Sequence, residues 1–227
     1  ALEEQAADPL CKLMILCNPM NPVGSVMTEA EIDAIAEICA RHNVALCSDE
    51  IHCDLILEEG VRHIPAGRVD QLTHRSVTLM AASKTFNVAG LGTSFAIIPD
   101  ASLRRKFTQG AAGIVPWANV MGLVATEAAF TRCDDWLAEQ ITYLRGNRDY
   151  LVERINAIDG LEVVSSEATF LAWIDATGLG VEDVLKWCES KGVGPSPGRD
   201  FGEPGFFRIN FGCSRAMLKD ILDRLSS

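Results

Sequence analysis

Four short segments of the 227-residue chain combine residue types that do chemistry. Asn18-Pro19-Met20-Asn21-Pro22-Val23-Gly24 carries side-chain amides in a turn-forming run. Ser48-Asp49-Glu50-Ile51-His52 carries carboxylates and an imidazole. Ser83-Lys84-Thr85-Phe86-Asn87 carries a hydroxyl and an amine, and Phe207-Arg208-Ile209-Asn210-Phe211-Gly212 a guanidinium. In layered α/β sheets ligands bind outside the carboxyl ends of the strands, so an amide, a carboxylate and a lysine at successive strand ends can converge on one small molecule. Each segment alone has a plainer explanation. Asn-Pro-x-Gly makes a turn, an Asp after a strand caps a helix, a lone lysine lies on the surface, and a lone arginine makes a surface ion pair. Their joint occurrence, in this order and these contexts, is poorly explained by chance.

The elements that must position these residues are legible as apolar runs and periodicities. Lys12 to Cys17 is a short apolar run that stops at Asn18-Pro19, which predicts a buried strand. Thr28 to His42 places Ile32, Ile35, Ala36, Ile38 and Cys39 at helical spacing, and Thr28 with Glu31 forms a capping box. Val44–Ser48, Ser76–Ala81 and Thr93–Ile98 predict three further strands. Apolar rather than alternating strands, separated by a helix, predict parallel strands covered on both faces. Beyond them, helices are predicted over Asn119–Phe130, Asp134–Ile158, Val181–Lys191 and Arg215–Leu225, with strands over Leu161–Val164, Thr169–Asp175 and Phe206–Phe211. The expected fold class is α/β: a partial large domain over 1–138, mostly parallel sheet with flanking helices, then a small α+β domain over 139–227.

Composition narrows the function classes. Hydrophobic residues make up 48% of the chain, enough to build a core and exclude disorder. The net charge of −11 gives no basic face, so a nucleic-acid partner is not expected. No apolar run is long enough for a membrane span, and the start, Ala1-Leu2-Glu3-Glu4-Gln5, is acidic where a secretory leader would be basic and then apolar. The eight cysteines contain no Cys-x-x-Cys pair, and no two of the four histidines stand at helical i, i+4 spacing. The expectations are therefore no metal site, thiols packed as small hydrophobes, and a cytoplasmic location.

The strings CNPMNPVG, SDEIHCDL, SKTFN and FFRINFGC together resemble the fold-type I pyridoxal-phosphate enzymes of the class I/II aminotransferase superfamily. They look most like its cystathionine β-lyase (C–S lyase, MalY/PatB-like) branch, and the resemblance runs from about Lys12 to the end. It implies pyridoxal 5'-phosphate as cofactor, a small amino acid as substrate and a homodimer. It also implies roles. Lys84 attaches the cofactor aldehyde covalently and then moves the substrate Cα proton. Asp49 pairs with the pyridine nitrogen, and Asn21 donates to the ring's phenolic oxygen. His52, standing where many aminotransferases carry a Tyr, reaches that same oxygen, and Ser83 gives its hydroxyl to the phosphate. Arg208 binds the substrate carboxylate as a fork.

Two departures accompany the resemblance. Many members carry an Arg eight residues after the lysine; here that position is Gly92. The family's phosphate loop, ring-stacking aromatic and partner-subunit Tyr come from a part that precedes this stretch, so the chain is expected to be the C-terminal portion of a longer enzyme. The expected activity is C–S β-elimination on cystathionine or a related cysteine-type amino acid. An aminotransferase using the same residues is the alternative, and a non-catalytic fragment or regulator that keeps the fold is the second.

Overall fold

The structure is a computed structural model that describes residues 1–227. The chain resolves into two compact units. The first comprises Ala1–Pro19, Val26–Asp54 and Arg62–Leu137, and the second Met20–Ser25, Leu55–Val61 and Ala138–Ser227.

In the first unit a short helix α1 (Leu2–Ala6) leads to strand β1 (Leu13–Cys17), helix α2 (Glu29–Arg41) and strand β2 (Ala45–Asp49). Strand β3 (Ser76–Met80) runs directly into the one-turn helix α3 (Ala82–Thr85), followed by strand β4 (Phe95–Ile97) and helices α4 (Ala101–Ala111) and α5 (Val120–Arg132). The sheet order is β1-β2-β3-β4; the first three strands are parallel, while β4 is antiparallel to β3. Both arms of the α2 capping box are made: Glu31 N donates to Thr28 Oγ1 at 3.3 Å and Thr28 N to Glu31 Oε2 at 2.8 Å. Ile32, Ala36 and Cys39, at helical spacing, pack with Leu16, Val44 and Leu46 into one core. Burying a side chain such as Ile32 contributes about 1.5–3 kcal/mol.

The expectation that the strands are covered on both faces needs correction. Leu13 and Ile15 of β1 are 54% and 72% exposed, so only the α2 side of that strand is covered. Helix α4 was not predicted: it buries no residue, and its few apolar positions, such as Leu103 and Phe107, stand in a polar run, although Asp100 caps it through a 2.7 Å bond from Leu103 N. The stretch that leads into and through the start of α5 is exposed: Ile114, Val115, Val120 and Met121 face solvent, and Trp117 is 99% exposed.

Helix α6 (Asp134–Ile155) contains the boundary, between Leu137 and Ala138. The second unit holds strands β5 (Glu162–Val163) and β6 (Leu171–Asp175), helix α7 (Val184–Ser190), strands β7 (Ser196–Pro197) and β8 (Phe206–Asn210), and helix α8 (Arg215–Leu225). Its antiparallel sheet has the order β5-β6-β8-β7. Alternation along β8 puts Phe207 and Ile209 into a core with Ile174, Leu151 and Leu218, and leaves Phe206, Arg208 and Asn210 on the other face. Two early segments belong here rather than to a contiguous 1–138 domain. Ala168 N donates to Gly24 O, Leu57 N to Glu167 O and Thr169 N to Leu55 O, at 2.8–2.9 Å. No helix is long and apolar enough to cross a membrane.

Candidate active site

In the first unit, parallel pairing brings two of the chemistry-bearing segments to the same edge of the sheet. Asp49 ends β2, directly opposite Cys17 of β1 and Leu79 of β3. Asp49 is not a helix cap. Its Oδ1 accepts from Ile51 N at 3.2 Å, closing a tight turn, and no lysine, arginine or histidine pairs with it. His52, in the same turn, is 4% exposed. Beyond β3, α3 carries Ser83 and Lys84, both half-buried. The Lys84 ammonium has no ion pair and no hydrogen bond. The buried Thr85 beside it donates to Asp54 Oδ2 at 3.3 Å, which fixes the back of the turn. Asn87, left-handed at φ 55°, takes the chain out of that turn, a conformation that Asn tolerates better than most residues.

Cysteine chemistry does not contribute here. Burial, helped by the Asp54 and Glu50 charges, pushes the Cys53 thiol up to about 12, and burial does the same to Cys188. All eight cysteines are free; Cys39 and Cys188 are fully buried and the other six half-buried.

Gly92 sits in the left-handed region at φ 57° with open space where a side chain would project. The family's arginine at this place would be strained by the backbone rather than by neighbours, which accounts physically for the glycine.

In the second unit, Arg208 is placed by strand register between Trp173 of β6 and Ser196 of β7. Its Nη1 donates to Asn21 Oδ1 at 2.8 Å and its Nη2 to Ser196 Oγ at 2.9 Å. The guanidinium lies 4.8 Å from the centroid of the Phe201 ring, which meets Trp173 edge-on at 5.4 Å, and Trp173 stacks on Phe206 at 5.2 Å. Partial burial lowers the Arg208 pKa, and no carboxylate neutralises it. The surface ion-pair reading of this arginine is therefore wrong: both acceptors it meets are neutral, and its charge is held in reserve. The same contact orients Asn21. The contact turns Oδ1 toward the guanidinium and leaves the N–H2 donors without a hydrogen bond.

Ser196 and Phe201 were missed in the sequence. The two-residue strand at Ser196-Pro197 lies inside a Pro- and Gly-rich run that reads as turn, so the cross-strand partner of Arg208 gave no periodic signal. The one available hint was the alternation of Thr169–Asp175, which marks Trp173 as a strand residue on the non-core face.

Each unit thus holds charged groups without an opposite charge to pair with: a lysine and a carboxylate at strand ends in the first, an arginine beside an oriented amide in the second. The chain is 36% identical over 238 residues to cystathionine beta-lyase PatB of Bacillus subtilis, covering 100% of this chain and 60% of that protein. It is similar in structure to OvoB, at 49% identity and TM-score 0.92, over 94% of this chain and 57% of that one. It is also similar to the pyridoxal 5'-phosphate-containing cystalysin of Treponema denticola, at 31% identity and TM-score 0.93, over 99% of this chain and 59% of that one. The chain therefore spans about three-fifths of the length of the relatives it matches. Its residues 1–225 match the family described as aminotransferase class I and II, and the chain belongs to that family.

Proposed function

We propose that this protein is a pyridoxal 5'-phosphate-dependent C–S β-lyase, which converts cystathionine or a related cysteine-type amino acid and water into a thiol, pyruvate and ammonia. The observation that carries the reading is the set of charged groups without a counter-charge. Lys84 has no counter-ion, Asp49 has no cation, and Arg208 has only neutral acceptors. A charge held without a partner costs free energy unless a ligand supplies one. The cofactor and an amino acid supply what is missing: an aldehyde for the amine, a ring cation for the carboxylate and a carboxylate for the guanidinium.

When bound, the cofactor supplies an electron sink that lets the Cα proton of an amino acid be removed. The chain's own residues do the rest. Lys84 would hold the cofactor, and its amine would take the proton from the substrate Cα as general base. Asp49 keeps the ring nitrogen protonated, a task that needs a carboxylate with no competing cation. Asn21, its Oδ1 turned to Arg208, would present an N–H to the ring oxygen. Arg208 grips the substrate carboxylate, which orients the Cα–H bond. Ser83 would donate to the phosphate, and His52 would reach the ring oxygen.

The test uses the full-length, cofactor-loaded protein with L-cystathionine. Pyruvate and ammonia should form in equal amounts, and both should vanish in Lys84→Ala along with the phosphopyridoxyl adduct found by mass spectrometry after borohydride reduction. Transfer of the amino group to an added α-keto acid, with no thiol released, would establish the aminotransferase instead.

A further inference from the structure

Glu50 follows Asp49 directly, yet its side chain is 2% exposed and takes no part in the chemistry above. Three donors converge on it. Ser48 Oγ reaches Oε1 at 2.8 Å, Ala66 N reaches Oε1 at 2.9 Å, and His63 Nε2 meets Oε2 at 2.7 Å. No lysine or arginine pairs with it. The His63 side chain is 9% exposed and its Nδ1 has no partner. A proton on Nδ1 would be a buried donor without an acceptor, so Nε2 carries the N–H and Glu50 Oε2 accepts its hydrogen bond.

This cluster is not a second nucleophilic site. Ser48 and His63 bond opposite oxygens of the carboxylate rather than each other, so no base activates the hydroxyl. Its geometry is that of a clamp. Glu50 N donates to Leu79 O of β3 at 3.0 Å, while its side chain grips Ser48 of β2 and both His63 and Ala66 of the following segment. The turn that displays Asp49 is thereby held from three directions.

We propose that Glu50 is a positioning residue for Asp49, with His63 as its obligatory donor: it fixes the Asp49 carboxylate in the orientation needed by the ring nitrogen. This rests on the cofactor-binding role proposed for Asp49. Replacing the carboxylate with an amide keeps an acceptor for Ser48 Oγ and Ala66 N but sets an N–H2 group against His63 Nε2–H; relief comes only by moving the His63 proton to Nδ1, where it has no acceptor, or by shifting the turn.

The full-length, cofactor-loaded protein tests this with E50Q, H63N, H63Q and D49N. Pyridoxal 5'-phosphate affinity, the visible absorption of the bound cofactor, kcat and KM are measured for each, and imidazole 15N shifts for His63. E50Q should weaken cofactor affinity and lower kcat by about tenfold or more, alter the absorption, and leave KM within about twofold. H63N should do the same in kind, while H63Q, which keeps a donor at the Nε position, should stay near the parent. The 15N shifts should show His63 protonated at Nε2 alone. If E50Q and H63N lower only thermal stability, with absorption and kcat unchanged in the folded protein, while D49N alters both, Glu50 serves the fold alone and the proposal is overturned. If D49N also changes nothing, the role of Asp49 falls and the proposal falls with it.

Discussion

Arg208→Lys offers the most quantitative test of the carboxylate site. A guanidinium has five N–H donors. Asn21 takes one on Nη1 and Ser196 one on Nη2, which leaves three, enough for a two-bond fork to a carboxylate. An ammonium has three donors in all. If it keeps Asn21 and Ser196 it has one left, and the fork becomes a single bond. The loss is one hydrogen bond to a charged group, about 1.5–3 kcal/mol, and half-burial leaves some solvent screening that trims the upper end. At about 1.4 kcal/mol per decade, kcat/KM for the amino acid should fall about tenfold to about a hundredfold. Most of the fall should lie in KM, because substrate and transition state both carry the carboxylate. Steady-state kinetics on the full-length, cofactor-loaded protein measures it, with cofactor affinity as the control. A change below about twofold would place the carboxylate elsewhere. An equal loss of cofactor affinity would show that Arg208 acts through Asn21 on the ring rather than on the substrate.

Asp49→Asn should leave the cofactor attached but lower kcat far more than KM, since an amide cannot hold the ring nitrogen's proton; single-turnover kinetics with near-normal kcat would contradict this. Gly24→Ala should destabilise the protein by about 1–3 kcal/mol, read as a lower thermal midpoint. Gly24 has φ 78°, and a Cβ there would stand 2.5 Å from Ser166 Cβ and 2.8 Å from Ala168 O. Cys53 and Cys188, both pushed up to about 12, should stay unmodified by iodoacetamide at pH 8 in the folded protein, because their thiolate fraction is on the order of 10⁻⁴. Peptide mass spectrometry after brief labelling checks it.

The catalytic residues proposed here were legible because strand ends announce themselves. Asp49 ends and Lys84 follows short apolar runs that read as strands, and Arg208 alternates with Phe207 and Ile209. Their supports were not legible. Glu50 reads as one more acidic residue, and only the folded chain shows His63, thirteen residues on, closing over it. Ser196 lies in a run that favours turns, and its two-residue strand is too short for any periodicity. Thr169 is a stronger case. It adopts φ 73°, which a β-branched side chain disfavours, and is held by Leu55 O on its N–H and by Leu171 N on its Oγ1. Local preference argues against that conformation, and tertiary hydrogen bonds override it. The open face of β1 has a similar origin: apolar runs report that a strand can be buried, not which neighbours bury it.

Trp117 turns the exposed stretch before α5 into a built-in optical gauge. Its ring is 99% exposed, whereas Trp136 stacks on Phe86 at 6.1 Å, Trp173 stacks on Phe206, and Trp187 lies beneath Lys191. An indole in water emits at longer wavelength than one against apolar neighbours, so the red edge of the protein's fluorescence belongs mainly to this one residue. Iodide should quench that edge first. Any body that settles over Ile114–Met121 should shift the emission to the blue and shield it from iodide, giving a continuous readout of that surface without a label.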